Sequence, residues 1–442
     1  MTRPSSPSII VLGGGLAGLT AAYRLASQSI RVTLVDRRST VGGNAIQPGK
    51  GWESAPLVAS AGHQATWALW RSLQSQAGPA PFMNVPLEFL LPDGRTVPYP
   101  FTPLPRPIHS AVSLLRFSGL TRRERWQLVS WLEQVWEGAT QLPSDLAHRT
   151  ADEWLAALGQ GSQTRRTVWG PLAQWLTGNH LVNLSADAFR MAVEPTFLRS
   201  SRESCWAIAP SFHGSLVQPM LANLQTTGAM IMPTTEVTQI LSEGDRVTGV
   251  LLRNGTILRS DLYLAALPHR QLAALLPERW LSRYAYFQQL AELIDLPEIT
   301  VQVVIRRTLT KPRIVLLSQG LFCSMVAQPS RSEHTLCQFV GRDERTDAPT
   351  TPEALRRHAE DTLRSLHLLP TDETVMSFEF QKSEDGTLSL EPGMQLRRPL
   401  QRSPIANLLV AGAWTDTGWS PNVESAIVSA NRCTEIAAGS LA

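Results

Sequence analysis

The clearest pattern of apolar and polar positions lies near the start of the sequence. Residues 9–12 are all apolar, a glycine-rich turn follows at 13–18, and an alanine-rich stretch continues to residue 26. A second apolar run at 32–35 ends on Asp36. Short apolar runs bounded by glycine predict buried strands, and the alanine-rich stretch between them predicts a helix. The pattern therefore predicts a strand, a turn, a helix and a second strand.

Three glycines in this unit have the spacing of a dinucleotide-binding turn. Gly13 permits the tight turn, Gly15 lets the backbone approach a pyrophosphate, and Gly18 allows the helix to pack closely on the strand. The start of the helix offers unpaired N–H groups and a positive dipole end to the phosphates. Asp36 lies 18 residues after Gly18, where a carboxylate hydrogen-bonds ribose hydroxyls and disfavours NADP. The cofactor contacts expected in this unit are Gly13, Gly15, Leu16, Ala17, Gly18 and Asp36.

A second pair of glycines follows the acid. Gly42 and Gly43 favour FAD over NAD, because flavoproteins with this unit return a glycine loop along the pyrophosphate. Arg37 either covers the adenine, reaches a phosphate, or belongs to a solvated charge pair with Arg38. We add Arg37, Gly42, Gly43 and Asn44 to the expected cofactor contacts.

Residues 82–206 have a different pattern, with helical periodicity, many tryptophans and frequent prolines. An Asp-Gly pair at position 93, between two apolar runs, predicts a β-hairpin. Thr121, three residues before Glu124, predicts the capped start of a helix. Seven of the 13 tryptophans lie between positions 126 and 206. They suit a pocket for a bulky apolar ligand and equally suit a helical core.

The end of the sequence repeats the arrangement of strand, turn and helix. Residues 405–412 form an apolar run that ends on glycine, residues 413–424 predict a loop, and residues 425–438 predict a helix. A helix whose first amides are free can dock the anionic edge of a flavin ring. We therefore expect the two ends of the chain to bind one FAD. The tail contacts are expected from Gly412, Ala413, Asn422 and Val423.

Composition narrows the class of protein. The chain has 442 residues, of which 43% are hydrophobic and 17% charged, so a folded protein with room for two domains is expected. A net charge of +3 is too small to indicate nucleic-acid binding. The four cysteines and nine histidines lack the spacing of a metal site, and a reduced, cytoplasmic location is expected.

No apolar run approaches the roughly 18 residues that a spanning helix needs. The segment 85–120 is rich in Leu, Phe and Pro. Two interpretations of this segment stay open: peripheral contact at the inner face of a membrane, or a domain core with a proline-rich loop. The oligomeric state cannot be read from the sequence.

Together these elements predict an α/β protein, a doubly wound FAD-binding Rossmann-type domain with an inserted mixed α+β substrate domain. The FAD domain is expected to comprise residues 1–75, 207–280 and 400–442. The substrate-binding domain is expected to comprise residues 76–206 and 281–399.

The head motif, the Gly42-Gly43 pair and the tail sequence LLVAGAWTDTGWSPNVESAI resemble the FAD-dependent amine oxidase/phytoene desaturase superfamily. The Thr235-Glu236-Val237 strand also matches, and the resemblance implies a cofactor contact at Val237. Within the superfamily, the stretches at 149–172 and 414–418 resemble the squalene-associated branch. The best-described activity of that branch is the dehydroxylation of hydroxysqualene.

The resemblance implies hydride transfer between a substrate carbon and flavin N5, with a long apolar isoprenoid, a hydrophobic small molecule, as substrate. Dehydroxylation also requires an acid for the leaving oxygen. The acid cannot be read from the sequence, and the carboxylates near motif segments are the weak candidates Glu53, Glu194, Asp416 and Glu424. Of these, Asp416 is favoured for cofactor contact rather than for proton transfer.

Some positions depart from the family pattern. Ala413 stands where the tail usually has an acid, Asn44 where an arginine is frequent, and residues 53–57 lack the usual glycine and histidine. These departures keep open a catalytically silent flavoprotein that binds lipid or protein. Two other enzyme activities also stay open. One is a related polyene desaturation, and the other is amine oxidation, in which Trp414 and Trp419 imitate the aromatic pair beside the flavin.

Overall fold

The computed structural model describes residues 7–43, 56–73, 81–105, 108–136, 145–199, 205–209, 211–329, 334–341 and 351–441. Along these residues the strands are β1 (Ser8–Leu12), β2 (Arg31–Val35), β3 (Leu57–Ser60), β4 (Phe82–Val85), β5 (Leu87–Leu90), β6 (Thr96–Pro98), β7 (Trp206–Ala209), β8 (Met230–Met232), β9 (Val237–Glu243), β10 (Arg246–Leu252), β11 (Ile257–Leu258), β12 (Leu262–Ala265), β13 (Asp295–Ile305), β14 (Arg313–Leu317), β15 (Phe322–Pro329), β16 (Thr335–Gly341), β17 (Ser377–Leu388) and β18 (Leu408–Val410).

The helices of the described residues are α1 (Leu16–Ala26), α2 (Gln64–Ser72), α3 (Ile108–Arg116), α4 (Arg122–Trp136), α5 (Ala151–Ala157), α6 (Ser162–Thr164), α7 (Gly170–Thr177), α8 (Ala186–Val193), α9 (Gln218–Thr226), α10 (His269–Leu275), α11 (Glu278–Arg283), α12 (Ala285–Glu292), α13 (Pro352–Ser365) and α14 (Val423–Leu441). Three segments have π-helical hydrogen bonding, Arg165–Trp169, Glu194–Leu198 and His213–Val217.

A five-stranded parallel sheet joins the two ends of the chain. Its order is β18-β12-β1-β2-β8, so the first strand lies between β2, the next strand in the sequence, and β12, which comes much later. Strand β1 has four buried residues in a row, as expected for a strand covered on both faces. Helices α1 and α14 pack on one face, where Leu19, Leu25 and Ile427 belong to the same hydrophobic cluster.

The tail strand is shorter than predicted. The apolar run at 405–412 was expected to be extended throughout, but β18 covers only Leu408–Val410. The amide of Leu408 donates to the carbonyl of Ile405. The Ser403 hydroxyl donates to the carbonyls of Ile405 and Leu408, so the first residues of the run form a turn. The tail helix is correspondingly longer than predicted, because α14 begins at Val423 and ends at Leu441.

A seven-stranded mixed sheet forms the second layer. Its order is β17-β13-β16-β15-β14-β5-β6, and β14 pairs with β5 in parallel while the other pairs are antiparallel. The predicted hairpin at position 93 is confirmed, because β5 and β6 pair directly around it. Helix α13 covers this sheet through Leu355 and Leu363.

Two smaller sheets complete the arrangement. The order β3-β7-β4 brings residues 57–60 beside residues 206–209, and β11-β10-β9 is an antiparallel meander. The fold class is confirmed as an α/β protein with a parallel Rossmann-type sheet and a mixed sheet. The sheets draw on the predicted pieces of sequence, whereas the exact domain boundaries remain a prediction.

The predicted capped start of helix α4 at Thr121 is confirmed. The amide of Glu124 donates to Thr121 Oγ1, while the amide of Thr121 donates to the Glu124 carboxylate, at 3.3 and 3.0 Å. Thr150 and Glu153 form the same reciprocal arrangement at the start of α5. Such caps satisfy amides that lack partners within the helix.

Within the described ranges, no helix is long and apolar enough to cross a membrane. The exposed apolar side chains include Phe101, Leu104 and Ile108, which lie in the segment 85–120. Peripheral contact through that segment remains a prediction.

Candidate functional site

A cleft of about 630 Å³ opens at the carboxyl ends of the parallel strands. This edge of a doubly wound sheet is where ligands bind in such folds. Residues from both ends of the chain line the cleft. The predicted cofactor residues that line it are Gly13, Gly15, Leu16, Ala17, Asp36, Arg37, Gly42, Gly43, Val237, Gly412, Ala413, Asn422 and Val423. Asn44 lies outside the described residues.

Of the three motif glycines in the turn, only Gly15 faces open space in the cleft. A Cβ on Gly13, whose φ is +98°, would lie 2.4 Å from the carbonyl oxygen of Ala266. A Cβ on Gly18 would lie 1.9 Å from the carbonyl oxygen of Gly13, so this glycine serves helix packing behind the cleft. A Cβ on Gly15, by contrast, would meet only the Cα of Gly43, at 3.9 Å, and would project into the cleft. The absence of a side chain at Gly15 therefore keeps the binding space open.

Helix α1 directs its N-terminus at the same space. Its N-cap residue, Gly15, has no side chain to cap the first amides, and the first turn contains no acidic residue. Leu16 and Ala17 line the cleft beside it. Uncapped amides and the positive end of a helix dipole favour a phosphate group. This feature fits the pyrophosphate of a dinucleotide.

Asp36 is held rigidly at the end of β2. It is 9% exposed, and its Oδ2 accepts from the amide of Gly14 at 2.6 Å while its Oδ1 accepts from the amide of Arg38 at 2.7 Å. Each carboxylate oxygen has a further lone pair for a ribose hydroxyl. Arg37 and Val237 line the neighbouring wall.

The glycine pair lies directly over the turn. The amide of Gly42 donates to the carbonyl of Gly14 at 2.8 Å. Gly43 has a φ of +64°, and a Cβ there would lie 2.8 Å from the Cα of Gly15. Only a residue without a side chain allows this close approach. The loop after Asp36 thus closes one side of the cleft.

A buried arginine, which the sequence reasoning missed, shapes the tail loop. Arg398 is 4% exposed, and its guanidinium donates to the carbonyls of Ala413, Thr415 and Trp419 at 2.9, 2.6 and 2.7 Å. It also donates to the carbonyl of Trp414 at 3.2 Å. Burial lowers the pKa of Arg398 to about 10, so the group stays charged at neutral pH. One cation thereby fixes the loop that forms the tail side of the cleft.

A histidine and a carboxylate form a pair in the cleft wall. His269 Nε2 lies 2.9 Å from Asp295 Oδ2, and His269 Nδ1 lies 2.9 Å from the carbonyl oxygen of Leu290. A carbonyl and an ionised carboxylate both only accept hydrogen bonds. The imidazole of His269 is thus held between two acceptor groups in the cleft wall. The pairing of His269 with Asp295, which is 26 residues away, has no signal in the sequence.

The carboxylates proposed as weak catalytic candidates do not line the cleft among the described residues. Glu424 is 2% exposed and accepts from the amides of Ala65 and Thr66, both at 2.8 Å, and from Thr66 Oγ1 at 2.7 Å. Burial raises the pKa of Glu424. Its position fits a cap for helix α2, whose own N-cap residue, His63, makes no capping hydrogen bond.

The remaining candidates also make local contacts. Asp416 Oδ1 accepts from the amide of Gly418 at 3.2 Å, and Asp416 lies outside the cleft lining. Glu194 pairs with Arg190 at 2.9 Å. Glu53 lies outside the described residues. A catalytic or cofactor role for these carboxylates remains a prediction, and the contacts of Asp416, Glu194 and Glu424 favour structural roles.

A second, smaller cavity adjoins the cleft, and we call it the aromatic cavity. It has a volume of about 150 Å³ and shares Asn422 and Val423 with the cleft wall. Its described lining is Val58, His63, Trp175, Leu176, Ala192, Thr196, Trp206, Trp419, Ser420, Asn422 and Val423. None of these residues carries a carboxylate or a permanent positive charge.

His63 is at the centre of the aromatic cavity. Its ring lies 5.3 Å from that of Trp419 and 6.0 Å from that of Trp206, both edge to face. Burial lowers the pKa of His63 to about 4, so the imidazole is neutral at physiological pH. Trp414 lines the cleft and Trp419 lines the aromatic cavity. The two tryptophans expected to form an aromatic pair therefore line two different spaces.

The residues that line the cleft match the groups of an FAD molecule. Open space at Gly15, uncapped amides on α1 and an anchored carboxylate at Asp36 suit the pyrophosphate and ribose. The tail glycine and the start of α14 close the other side, where Gly412 and Val423 line the cleft. Ala413 contributes no carboxylate, and its carbonyl is occupied by Arg398.

Comparison with known proteins agrees with this geometry. Residues 16–437 match the family described as flavin containing amine oxidoreductase. The chain is 23% identical to a 15-cis-phytoene desaturase of Glycine max, over 98% of this chain and 80% of that protein. It is 23% identical to the 15-cis-phytoene desaturase of Synechococcus elongatus, over 95% and 94% of the two chains. A solved cyclohexylamine oxidase from Brevibacterium oxydans is similar in structure, with a TM-score of 0.71, 18% identity and coverage of 98% and 99%.

The chain therefore belongs to the family of flavin containing amine oxidoreductases. Its cofactor is FAD, and it is an FAD-dependent oxidoreductase.

Proposed function

We propose that this flavoenzyme acts on a long apolar isoprenoid by hydride transfer, with dehydroxylation of hydroxysqualene to squalene as the first reaction to test and a related desaturation as the second. The observation that carries the proposal is the wall shared by the cleft and the aromatic cavity at Asn422 and Val423. This juxtaposition would place an apolar substrate segment beside the cofactor.

The chemistry of the aromatic cavity supports an uncharged substrate. Its described lining consists of apolar and aromatic side chains with a neutral histidine and a few hydroxyl and amide groups. Burying an ammonium without a carboxylate partner is unfavourable. The phytoene desaturases among the relatives are named for a carotenoid precursor, which has the same chemical character as the proposed substrate.

The size of the cavity limits how much of the substrate it can enclose. Its volume of about 150 Å³ is below the range of roughly 300–1,000 Å³ typical of pockets that enclose a drug-sized ligand. Only one segment of a long chain therefore fits there. Burial of that segment excludes water from the reacting carbon.

When bound, FAD supplies two-electron hydride exchange with a substrate carbon. Dehydroxylation also needs one proton for the oxygen that departs as water. His269 and Asp295 form a hydrogen-bonded pair in the cleft wall, and we assign them as the candidate groups that supply this proton. Trp175 and Trp206 contribute the apolar surface that excludes water in the aromatic cavity.

Amine oxidation remains the second candidate, because an amine oxidase is among the structural relatives. Its expected aromatic pair, Trp414 and Trp419, lines two different spaces. A catalytically silent flavoprotein is the third candidate, since Ala413 replaces the usual tail acid.

The test uses the purified FAD-loaded protein, whose yellow colour and visible flavin band are recorded first. Hydroxysqualene is incubated anaerobically with the chemically reduced protein, and squalene is measured by mass spectrometry. Phytoene with the oxidised protein and a quinone acceptor tests desaturation, and an amine panel with peroxide detection tests amine oxidation.

We expect conversion of hydroxysqualene or of phytoene, and no peroxide above background with the amines. A protein whose flavin is reduced normally but which leaves both isoprenoids unchanged would contradict the proposal. The Gly15→Ala variant, in which a methyl group enters the open cofactor space, is the control for reactions that do not depend on bound FAD.

A further inference from the structure

The aromatic cavity contains an unusual group of buried polar atoms that have no hydrogen-bond partner in the protein. They are His63 Nδ1, Trp175 Nε1, Trp206 Nε1 and Ser420 Oγ. His63, Trp206 and Ser420 are exposed by only 5–6%, and the Trp175 nitrogen is itself buried. Leaving such an atom unpaired is unfavourable, so four of them on residues that line one cavity point to a ligand that pairs them.

Other buried tryptophans in the described chain make the bond that these two lack. The indole N–H of Trp67 donates to the carbonyl of Ser60, that of Trp169 to Gln160, and that of Trp414 to the carbonyl of Leu267. Trp70 is the exception outside the cavity, since its Nε1 is also unpaired. The indole groups of Trp175 and Trp206 lie together, with ring centroids 5.2 Å apart. Both side chains line the same small cavity.

The donor pattern selects the class of ligand. An indole N–H only donates, so two of them require an acceptor, which a hydrocarbon and an ammonium group both lack. An alcohol oxygen can accept from both indoles and donate its own proton to His63 Nδ1 or Ser420 Oγ. The neutral ring of His63 is compatible with this acceptor role.

We propose that His63, Trp175, Trp206 and Ser420 form a subsite that binds the hydroxyl group of an apolar alcohol. The inference rests on the proposed function, because it specifies which isoprenoids the same cavity would prefer. It requires an oxygen on the substrate, and it therefore distinguishes an alcohol from phytoene-like hydrocarbons and from amines. The subsite determines specificity by binding the hydroxyl group of the substrate.

The experiment measures binding to the oxidised FAD-loaded protein with three probes that share one carbon chain. They are farnesol, the corresponding hydrocarbon without the hydroxyl, and farnesylamine, each kept below its critical micelle concentration. Binding is followed by the shift of the visible flavin spectrum and by tryptophan fluorescence. We expect farnesol to bind at least about tenfold more tightly than the hydrocarbon, which corresponds to the gain of one or two net hydrogen bonds.

Conservative variants identify the groups responsible. Trp206→Phe and Trp175→Phe remove an N–H but keep a flat aromatic ring, so each should reduce the preference for farnesol by about threefold to tenfold. The hydrocarbon should bind to these variants as it does to the unaltered protein. Trp70→Phe is the matched control, because it removes an unpaired indole N–H outside the cavity and should change neither affinity.

Several outcomes would overturn the assignment. Equal binding of farnesol and the hydrocarbon would mean that the cavity holds ordered water only. Tighter binding of farnesylamine would identify an amine site. A Trp206→Phe variant that weakens both probes equally would show a purely structural role. If neither the alcohol nor the hydrocarbon binds although the flavin is present, the proposed substrate class fails as a whole, whereas hydrocarbon binding without alcohol preference removes only the hydroxyl subsite.

Discussion

The FAD cleft and the aromatic cavity are neighbours built in different ways. The cleft is formed largely by main chain, with glycines, helix amides and one anchored carboxylate from short local motifs. The aromatic cavity is formed by side chains from residues 58–63, 175–206 and 419–423. A main-chain site depends on a few residues that tolerate no side chain, whereas a side-chain site can change its ligand through single substitutions. The cofactor is thus fixed by the backbone, and the substrate is selected by the packing above it.

The largest effect is expected at Arg398, which holds the tail loop through four carbonyls. Arg398→Met would leave the carbonyls of Ala413, Trp414, Thr415 and Trp419 without this donor, although Ser425 still bonds the first of them. We expect a loss of about 4–6 kcal/mol in the free energy of unfolding, from several buried acceptors at roughly 1–3 kcal/mol each. Urea denaturation followed by fluorescence measures it.

The neighbouring Arg397 is the matched control. It is half exposed and pairs with Glu292 at 2.7 Å, so Arg397→Met should cost no more than about 1 kcal/mol. Equal effects of the two variants would show that the tail loop does not depend on the buried guanidinium.

Two glycine substitutions separate folding from cofactor binding in the cleft. Gly18→Ala places a Cβ 1.9 Å from the carbonyl oxygen of Gly13, and we expect it to destabilise the FAD-free protein by about 3 kcal/mol. Gly15→Ala meets only Gly43 at 3.9 Å, so the FAD-free protein should be as stable as the unaltered one but should retain less FAD. Thermal unfolding and the flavin absorbance of the same samples measure both properties.

A Gly15→Ala protein that retains its flavin normally would contradict the assignment of that open space to the cofactor. A Gly18→Ala protein of unchanged stability would show that the backbone can move apart there.

The aromatic cavity predicts a pH dependence of the free energy of unfolding. The pKa of His63 is about 4 in the folded protein, against 6.5 for an unperturbed histidine, because burial disfavours the charged ring. As the pH falls, the unfolded chain therefore binds a proton at His63 before the folded protein does. The folded protein has its full stability above pH 6.5 and loses the contribution of neutral His63 as the pH falls toward 4. Between pH 7.5 and pH 5 we expect His63 to account for a loss of about 2 kcal/mol in unfolding free energy.

The measurement compares urea unfolding of the unaltered protein with that of His63→Phe at both pH values. The variant should lose about 2 kcal/mol less than the unaltered protein over this interval. His148→Gln, which alters an exposed histidine, should keep the full pH dependence. A His63→Phe protein with an unchanged pH profile would mean that water reaches the ring.

The parts that could be predicted from the sequence are those determined by residues close to one another. The parallel sheet and the cleft followed from the glycine turn and Asp36, since strand, turn, helix and strand are contiguous. The capped start of α4 followed from Thr121 and Glu124 for the same reason. Local hydrogen bonds and steric limits leave a pattern that can be recognised without the fold.

The parts that could not be predicted depend on encounters across the fold. Strand β5 pairs in parallel with β14, more than 220 residues away, as in the register of Glu88 and Val315. Glu424 was considered a weak catalytic candidate because of its place beside the tail motif, yet its carboxylate caps a helix more than 350 residues earlier. The aromatic cavity and Arg398 likewise depend on which side chains meet. The periodicity of apolar residues does not indicate which distant side chains come into contact.

The order of strands in the parallel sheet has a consequence for biosynthesis. Strand β12 is bordered by β1 on one side and by β18 on the other, and β18 lies far later in the sequence than either of them. A nascent chain that has emerged only as far as β17 therefore exposes an unpaired sheet edge, which is prone to association with other chains. Loading of the flavin must then be a late event, following translation of the tail, and a ribosome-stalled chain lacking that tail should depend on chaperones rather than on its own cofactor for protection.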